Sequence, residues 1–353
     1  MLHQVLEAHP KSRMIHIGAD EVYHIGECDR CRSILHKYKI SNQQLFIRHI
    51  KRVASHIKLK YPHIKILMWD DEFRSIPIDE LQNSGLNSLV EPIIWKYTPN
   101  VISELGYGLF NKYVNAFKRV WFASAFKGAT GSNQYLTSID HHVSNHESWM
   151  KIYNDYKSKI TIGGIFITGW QRYDHFAVLC ELLPVGIPSL AFSFAVLLGY
   201  KDRNAYNNPN VIVELLDCKY YFALTKFSTE IPNCKYPGAE VLDAVIAFHQ
   251  FKETYKDFKQ MSTVAGWIGN YQKSHNFSNP DIVNWIFIHL TDLRNQLTSV
   301  DSYLATTMIN IYDKYTLSEW QETFVKPIYD DIHKMMDTSN KLLATDSWPR
   351  RPW

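Results

Sequence analysis

Ile15-His16-Ile17-Gly18-Ala19-Asp20-Glu21-Val22-Tyr23 is the stretch on which the reading of the fold turns. A short apolar run, residues 14–19, ends abruptly in two neighbouring carboxylates. Burying unpaired carboxylates is costly, so a strand core does not run into Asp-Glu without a reason. In parallel β/α folds, functional groups gather at the carboxyl ends of strands, and Asp20 and Glu21 stand at such an end. A regular strand aims neighbouring side chains at opposite faces. Both acids therefore serve one site only where the strand has already turned into its loop. Taken alone, the dipeptide has two readings. It is either a catalytic acid pair, one protonated and one ionised, or a cap for the helix that follows.

Outward from this motif, short β-branched or aromatic runs recur at residues 65–69, 89–95, 119–125 and 163–168. Such runs, bounded by charged or turn residues, read as buried parallel strands. Between the motif and the first of these runs, residues 43–61 place Leu45, Ile47, Ile50, Val53, Ala54 and Ile57 at helical spacing. Repeated strand–helix units imply an α/β fold with a parallel sheet. From residue 239 onward no strand is expected. Residues 241–258, 279–315 and 317–343 read as helices, with Ser278 and Asn279-Pro280 marking a boundary and Thr316 with Glu319 patterned as a capping box. The expected division is 1–200, a connecting segment 201–238 with an Asn-rich turn at 201–209, a helical region 239–346 and a tail 347–353.

Composition narrows the function classes. With 46% hydrophobic and 21% charged residues, the chain has ordinary globular composition and enough apolar surface for a sizeable core. Thirty-eight basic residues against 35 acidic ones, a net charge of +3 with no basic run, argue against a nucleic-acid partner. Residues 182–200 carry no charge, but Pro184, Gly186 and Pro188 interrupt them. The helix expected after Pro188 is too short to span a bilayer, so a buried helix and no membrane association are expected. Residues 1–11 lack the apolar run of a signal peptide. The five cysteines, Cys28, Cys31, Cys180, Cys218 and Cys234, are odd in number and irregular in spacing, unlike a secreted disulfide framework. An intracellular protein is expected. Cys28-Asp29-Arg30-Cys31, with His24 and His36 nearby, has the residue types of a zinc site but no second pair. Two free surface thiols and no metal are the expectation there.

The complete motif His16-Ile17-Gly18-Ala19-Asp20-Glu21 closely resembles the His-x-Gly-x-Asp-Glu signature of family-20 β-N-acetylhexosaminidases, and more narrowly their nucleocytoplasmic branch. The likeness recurs, in order, at Lys65-Ile66-Leu67-Met68-Trp69-Asp70-Asp71 and at Trp121-Phe122-Ala123-Ser124-Ala125-Phe126-Lys127-Gly128. It continues at Thr168-Gly169-Trp170-Gln171-Arg172-Tyr173-Asp174-His175, followed by Glu181-Leu182-Leu183-Pro184. It covers roughly residues 1 to 200. The helical C-terminal region also suits that branch.

The resemblance implies a (β/α)8 TIM-type barrel and an exo-acting enzyme releasing terminal β-linked GlcNAc or GalNAc from glycoconjugates. Configuration is retained by substrate-assisted catalysis, an exception to the two-carboxylate nucleophile scheme. Glu21 is then the general acid/base. Asp20 orients the 2-acetamido group and stabilises the positive charge as that group attacks the anomeric carbon. No metal or organic cofactor is implied, and the location is cytoplasmic, with the nucleus as a second compartment. Trp69, Trp121 and Trp170 would line the sugar pocket, Asp174 would bind sugar hydroxyls and Tyr135 the acetamide oxygen. Asp70 and Asp71 either support the site or cap a helix. Arg172 pairs with a carboxylate, and His16 supports its strand. In the family the Asp-Glu pair follows the fourth barrel strand, whereas here it stands at position 20. The five strand candidates would be strands four to eight, and the first three, with the arginine that grips the terminal sugar, are unassigned. The expectation is an incomplete chain, with a catalytically impaired sugar-binding or regulatory homologue as the alternative.

Overall fold

The computed structural model describes residues 1–199, 210–220 and 231–344. The turn expected at 201–209 and the tail at 347–353 lie outside the described residues. The chain divides into two compact units. The first comprises Met1–Phe126, Asp140–Gly169 and Val196–Gly199; the second comprises Lys127–Ile139, Trp170–Ala195 and the rest of the chain from Tyr200.

The first unit is a curled, parallel half-barrel of five strands: β1 (Met14–His16), β2 (Lys65–Trp69), β3 (Glu91–Trp95), β4 (Arg119–Lys127) and β5 (Thr161–Gly169). Their spatial order is the order of the sequence, with no switch point of the doubly wound kind. Ile15 pairs with Ile66, Trp69 with Ile93, and Ile93 with Trp121. Strand crossovers of one hand place their helices on one side of a sheet. Alternation then sends every second strand residue towards those helices. Ile15, Ile66, Met68, Ile94, Val120 and Phe122 accordingly pack with Ile50, Ile57, Phe110 and Trp149 from the helices. The alternate residues Leu67, Ile93 and Ala123 form a separate cluster against Trp69, Trp95, Trp121 and Phe166.

β1 is shorter than its apolar run because Gly18 and Ala19 take left-handed backbone angles and end the extended conformation. The helix Asn42–Lys60 follows the 43–61 reading. Ser41 and Gln44 close a capping box at its start, with both hydrogen bonds at 3.1 Å.

The second unit is helical. Ala239–Gln260, Pro280–Met308 and Lys326–Leu343 are its long helices, and a π-helical turn, Gln321–Val325, leads from Lys314–Trp320 into the last of them. Phe248, Ile286, Leu290, Leu297, Trp320 and Ile332 are buried together in its core. Asn279 caps the helix that begins at Pro280, as the sequence indicates. The next cap is a correction. Asp313, not Thr316, caps Lys314–Trp320, accepting from the Thr316 N–H at 2.8 Å. Glu319 is absent from that cap because it is held by Arg172.

Pro188 does not break its helix. Leu183–Leu197 runs through it, with Pro184 in the first turn, where proline is tolerated. Pro188 has no N–H for the carbonyl of Pro184, and the Tyr236 hydroxyl donates to that oxygen instead, at 2.7 Å. Tyr236→Phe is expected to orphan the carbonyl and cost about 1–2 kcal/mol, read as a lower urea midpoint with an unchanged m-value. Among the described residues no helix is long and apolar enough to cross a membrane. A pairing that the spacing did not disclose joins Cys218 to Cys234; Cys28, Cys31 and Cys180 are free.

Candidate active site

After β1 the chain makes a strained turn. Gly18, Ala19 and Glu21 have φ of +72°, +70° and +49°. For Ala and Glu the left-handed region is sterically costly, and such residues persist only where the surroundings hold them. The restraints are visible. The carbonyl of Gly18 accepts from the N–H of Trp69 at 3.1 Å. Its own N–H donates to Nδ1 of His16 at 2.9 Å. Burial lowers the His16 pKa, with the charge of Asp20 pulling the other way, which suits a neutral ring acting as acceptor. The ring also lies 4.7 Å from the Trp69 indole. His16 thus has the supporting role expected of it.

The short helix that follows β2, Asp71–Arg74, holds the other side of the turn. The N–H of Glu21 donates to Asp71 Oδ2 at 2.7 Å, and that of Val22 to Glu72 Oε1 at 2.8 Å. The second oxygen of Asp71 accepts from the Trp95 indole at 3.0 Å. One carboxylate therefore ties the Asp-Glu loop to the last residue of β3. Both side chains of the Asp20-Glu21 pair are exposed. The neighbouring Glu21 side chain raises the Tyr23 phenol pKa.

Asp70 is a buried anchor. It is fully buried and accepts from Arg74 Nη2 at 2.7 Å, Arg74 Nε at 2.9 Å and the Tyr113 hydroxyl at 2.9 Å. Burial pushes its carboxyl up, and Arg74 and Tyr113 draw it back down. Arg74 also donates to the Trp95 carbonyl at 2.9 Å and lies 5.1 Å from the centre of the Trp95 ring.

On the face of the sheet away from its helices, Trp69 and Trp121 pack against one cluster with Trp95 and Phe166. Trp69 ends β2, but Trp121 is the third of nine residues in β4 rather than at its carboxyl end. Its indole donates to Glu91 at 2.7 Å. Gly163 makes room for it, since a Cβ there would meet the ring at 2.4 Å. Tyr97 stacks on Trp95 with ring centres 5.3 Å apart. Burial raises its pKa, and the charges of Asp20 and Asp70 raise it further. Trp95, Tyr97, Tyr23 and Glu91 were not singled out in the sequence. The one signal for Trp95 was its place at the end of a β-branched run.

The remaining candidates belong to the second unit. Trp170 is half-buried and its carbonyl accepts from Lys127 Nζ at 2.5 Å. Asp174 is exposed in a turn, its carbonyl accepting from Ala177 at 3.0 Å. Arg172 has its carboxylate partner in Glu319, gripped at 2.5 and 2.7 Å. Tyr135 is buried against Phe248, Trp320 and Phe324, and its hydroxyl meets His249 at 2.9 Å. Among the described residues no group of three or more His, Cys, Asp or Glu is placed to hold a metal.

No protein-family model matches the chain. It is 32% identical to human hexosaminidase D over 356 aligned positions, which span all of this chain and 72% of the human protein. It is 48% identical to bovine hexosaminidase D over 199 positions, 56% of this chain and 57% of the bovine one. The chain belongs to the hexosaminidase D family. In this chain Asp71 holds the Asp-Glu turn through the Glu21 N–H. Asp71→Asn leaves one acceptor oxygen for two donors. Under the function proposed below, it is expected to lower kcat about 10- to 100-fold with little change in KM, measured on a chromogenic N-acetylhexosaminide.

Proposed function

We propose that the chain hydrolyses terminal β-linked N-acetylhexosamine residues with retention of configuration, by participation of the substrate's 2-acetamido group. The observation that carries this reading is the turn at Gly18–Glu21, where strained backbone is held by Asp71, Glu72, Trp69 and His16 beside two exposed carboxylates. Preorganisation of this kind is what acid/base chemistry at a strand end requires.

Glu21 delivers its proton to the glycosidic oxygen as the bond to the anomeric carbon breaks. The acetamide oxygen attacks from the opposite face, and the ionised Asp20 orients the acetamide N–H and balances the positive charge of the oxazolinium formed. Glu21, now a carboxylate, takes a proton from water as that water opens the ring. No metal or redox group enters any step. Trp69 and Trp95 supply aromatic faces for the apolar side of the sugar. In this reading β1 to β5 correspond to strands four to eight of a (β/α)8 barrel, which puts the acids at the functional end.

A panel of chromogenic N-acetylglucosaminide, N-acetylgalactosaminide and plain glucoside tests the proposal. Turnover is expected on one or both acetamido sugars and not on the glucoside. Hydrolysis of the glucoside at a comparable rate removes the acetamide role of Asp20.

A further inference from the structure

Cys28-Asp29-Arg30-Cys31 takes no part in the chemistry above. Cys28 is the N-cap of the ten-residue helix Asp29–Tyr38, and its Sγ accepts from the N–H of Cys31 at 3.5 Å. The two thiols act on each other in opposite directions, Cys31 lowering the pKa of Cys28 and Cys28 raising that of Cys31. Cys28 is exposed and Cys31 half-buried, so a reagent in solution reaches Cys28 first.

A zinc reading has little to support it. His24 is engaged with Glu27 at 2.8 Å, and no metal-binding group of three or more residues occurs among the described residues. What remains is an asymmetric pair one helical turn apart. The N–H of Cys31, followed by its thiol, stabilises a Cys28 thiolate and lowers its pKa, whereas the Cys28 side chain raises that of Cys31. The free N–H groups and positive dipole end of the helix act in the same sense on Cys28.

We propose that Cys28 and Cys31 form a redox-active dithiol, in which Cys28 attacks a disulfide and Cys31 resolves the product. The co-reactant class is a low-molecular-weight disulfide such as glutathione disulfide. The Cys28 thiolate attacks one of its sulfurs, the external S–S bond breaks, and the first thiolate leaves and takes a proton from water. Cys31 then gives up its proton and attacks Cys28 Sγ, forming the Cys28–Cys31 bond and expelling the second thiol. The protein loses two electrons and two protons, and one external disulfide becomes two thiols.

The full chain is incubated with glutathione disulfide, quenched by alkylation and mapped by peptide mass spectrometry. The peptide carrying both cysteines is expected to lose two hydrogens, while buried Cys180 stays free. Cys31→Ser should accumulate glutathione on Cys28. Cys28→Ser should slow modification of Cys31 about tenfold or more relative to Cys28 in the wild type. The proposal is overturned if Cys28 reacts no faster than Cys31, or if the pair stays as unreactive as Cys180. It is equally overturned if one tightly held zinc per chain accounts for its protection.

Discussion

Glu21→Gln is expected to lower turnover by about 10²–10⁴-fold on natural-type glycosides, whose alkoxide leaving group departs only with a proton. On an aryl glycoside whose phenolate leaves unaided, the first step should be nearly spared. The remaining loss should then come from the water-activating step. Asp20→Asn behaves differently, because an amide cannot balance the oxazolinium charge whatever the leaving group, so both substrate types should slow together. The contrast between the two variants separates a proton donor from a charge stabiliser better than either loss alone. Both side chains are exposed, so neither variant should shift the melting temperature appreciably. Wild-type rates from Glu21→Gln on a poor leaving group would falsify the acid assignment.

Asp70→Ala should have the largest effect on stability. The carboxylate is fully buried and collects Arg74, Tyr113 and, at 3.3 Å, the N–H of Trp95. Its loss leaves a part-buried guanidinium facing a cavity. Removing one partner of a buried pair costs about 3–5 kcal/mol, mostly as the penalty of the uncompensated charge. Denaturant unfolding should show that loss, whereas Lys326→Ala, which frees the exposed Asp330, should barely register. An Asp70→Ala midpoint equal to the wild type would remove the anchoring role.

The strand and helix pattern was legible where burial alone set it. β2 runs from Lys65 to Trp69 as its apolar run does, and the region after residue 239 is helical as its spacing indicates. Asp20 and Glu21 stand out in the sequence because acids at the end of an apolar run are expensive without a purpose. Partners distant in sequence were not legible. Pro188 looks like a breaker until Tyr236 supplies the missing donor. Glu319 fits a local cap until Arg172 takes it across 147 residues. The surroundings of Tyr135 were not legible either, since its neighbours Phe248, His249 and Trp320 come from far along the chain. The role of Asp71 needed the third dimension, since nothing in Trp-Asp-Asp says that the second acid reaches back fifty residues to Glu21.

Ala19 illustrates how such a turn constrains the protein's future. Its φ of +70° suits glycine better than alanine, so natural variation or directed selection for heat resistance has an easy relief of strain within reach. Glycine there would also loosen the backbone immediately before Asp20, and its greater freedom in the unfolded chain would return part of the gain. Tolerance of glycine at this one position, scored separately for survival of heat and for survival of activity, would reveal whether folding or chemistry has kept the alanine.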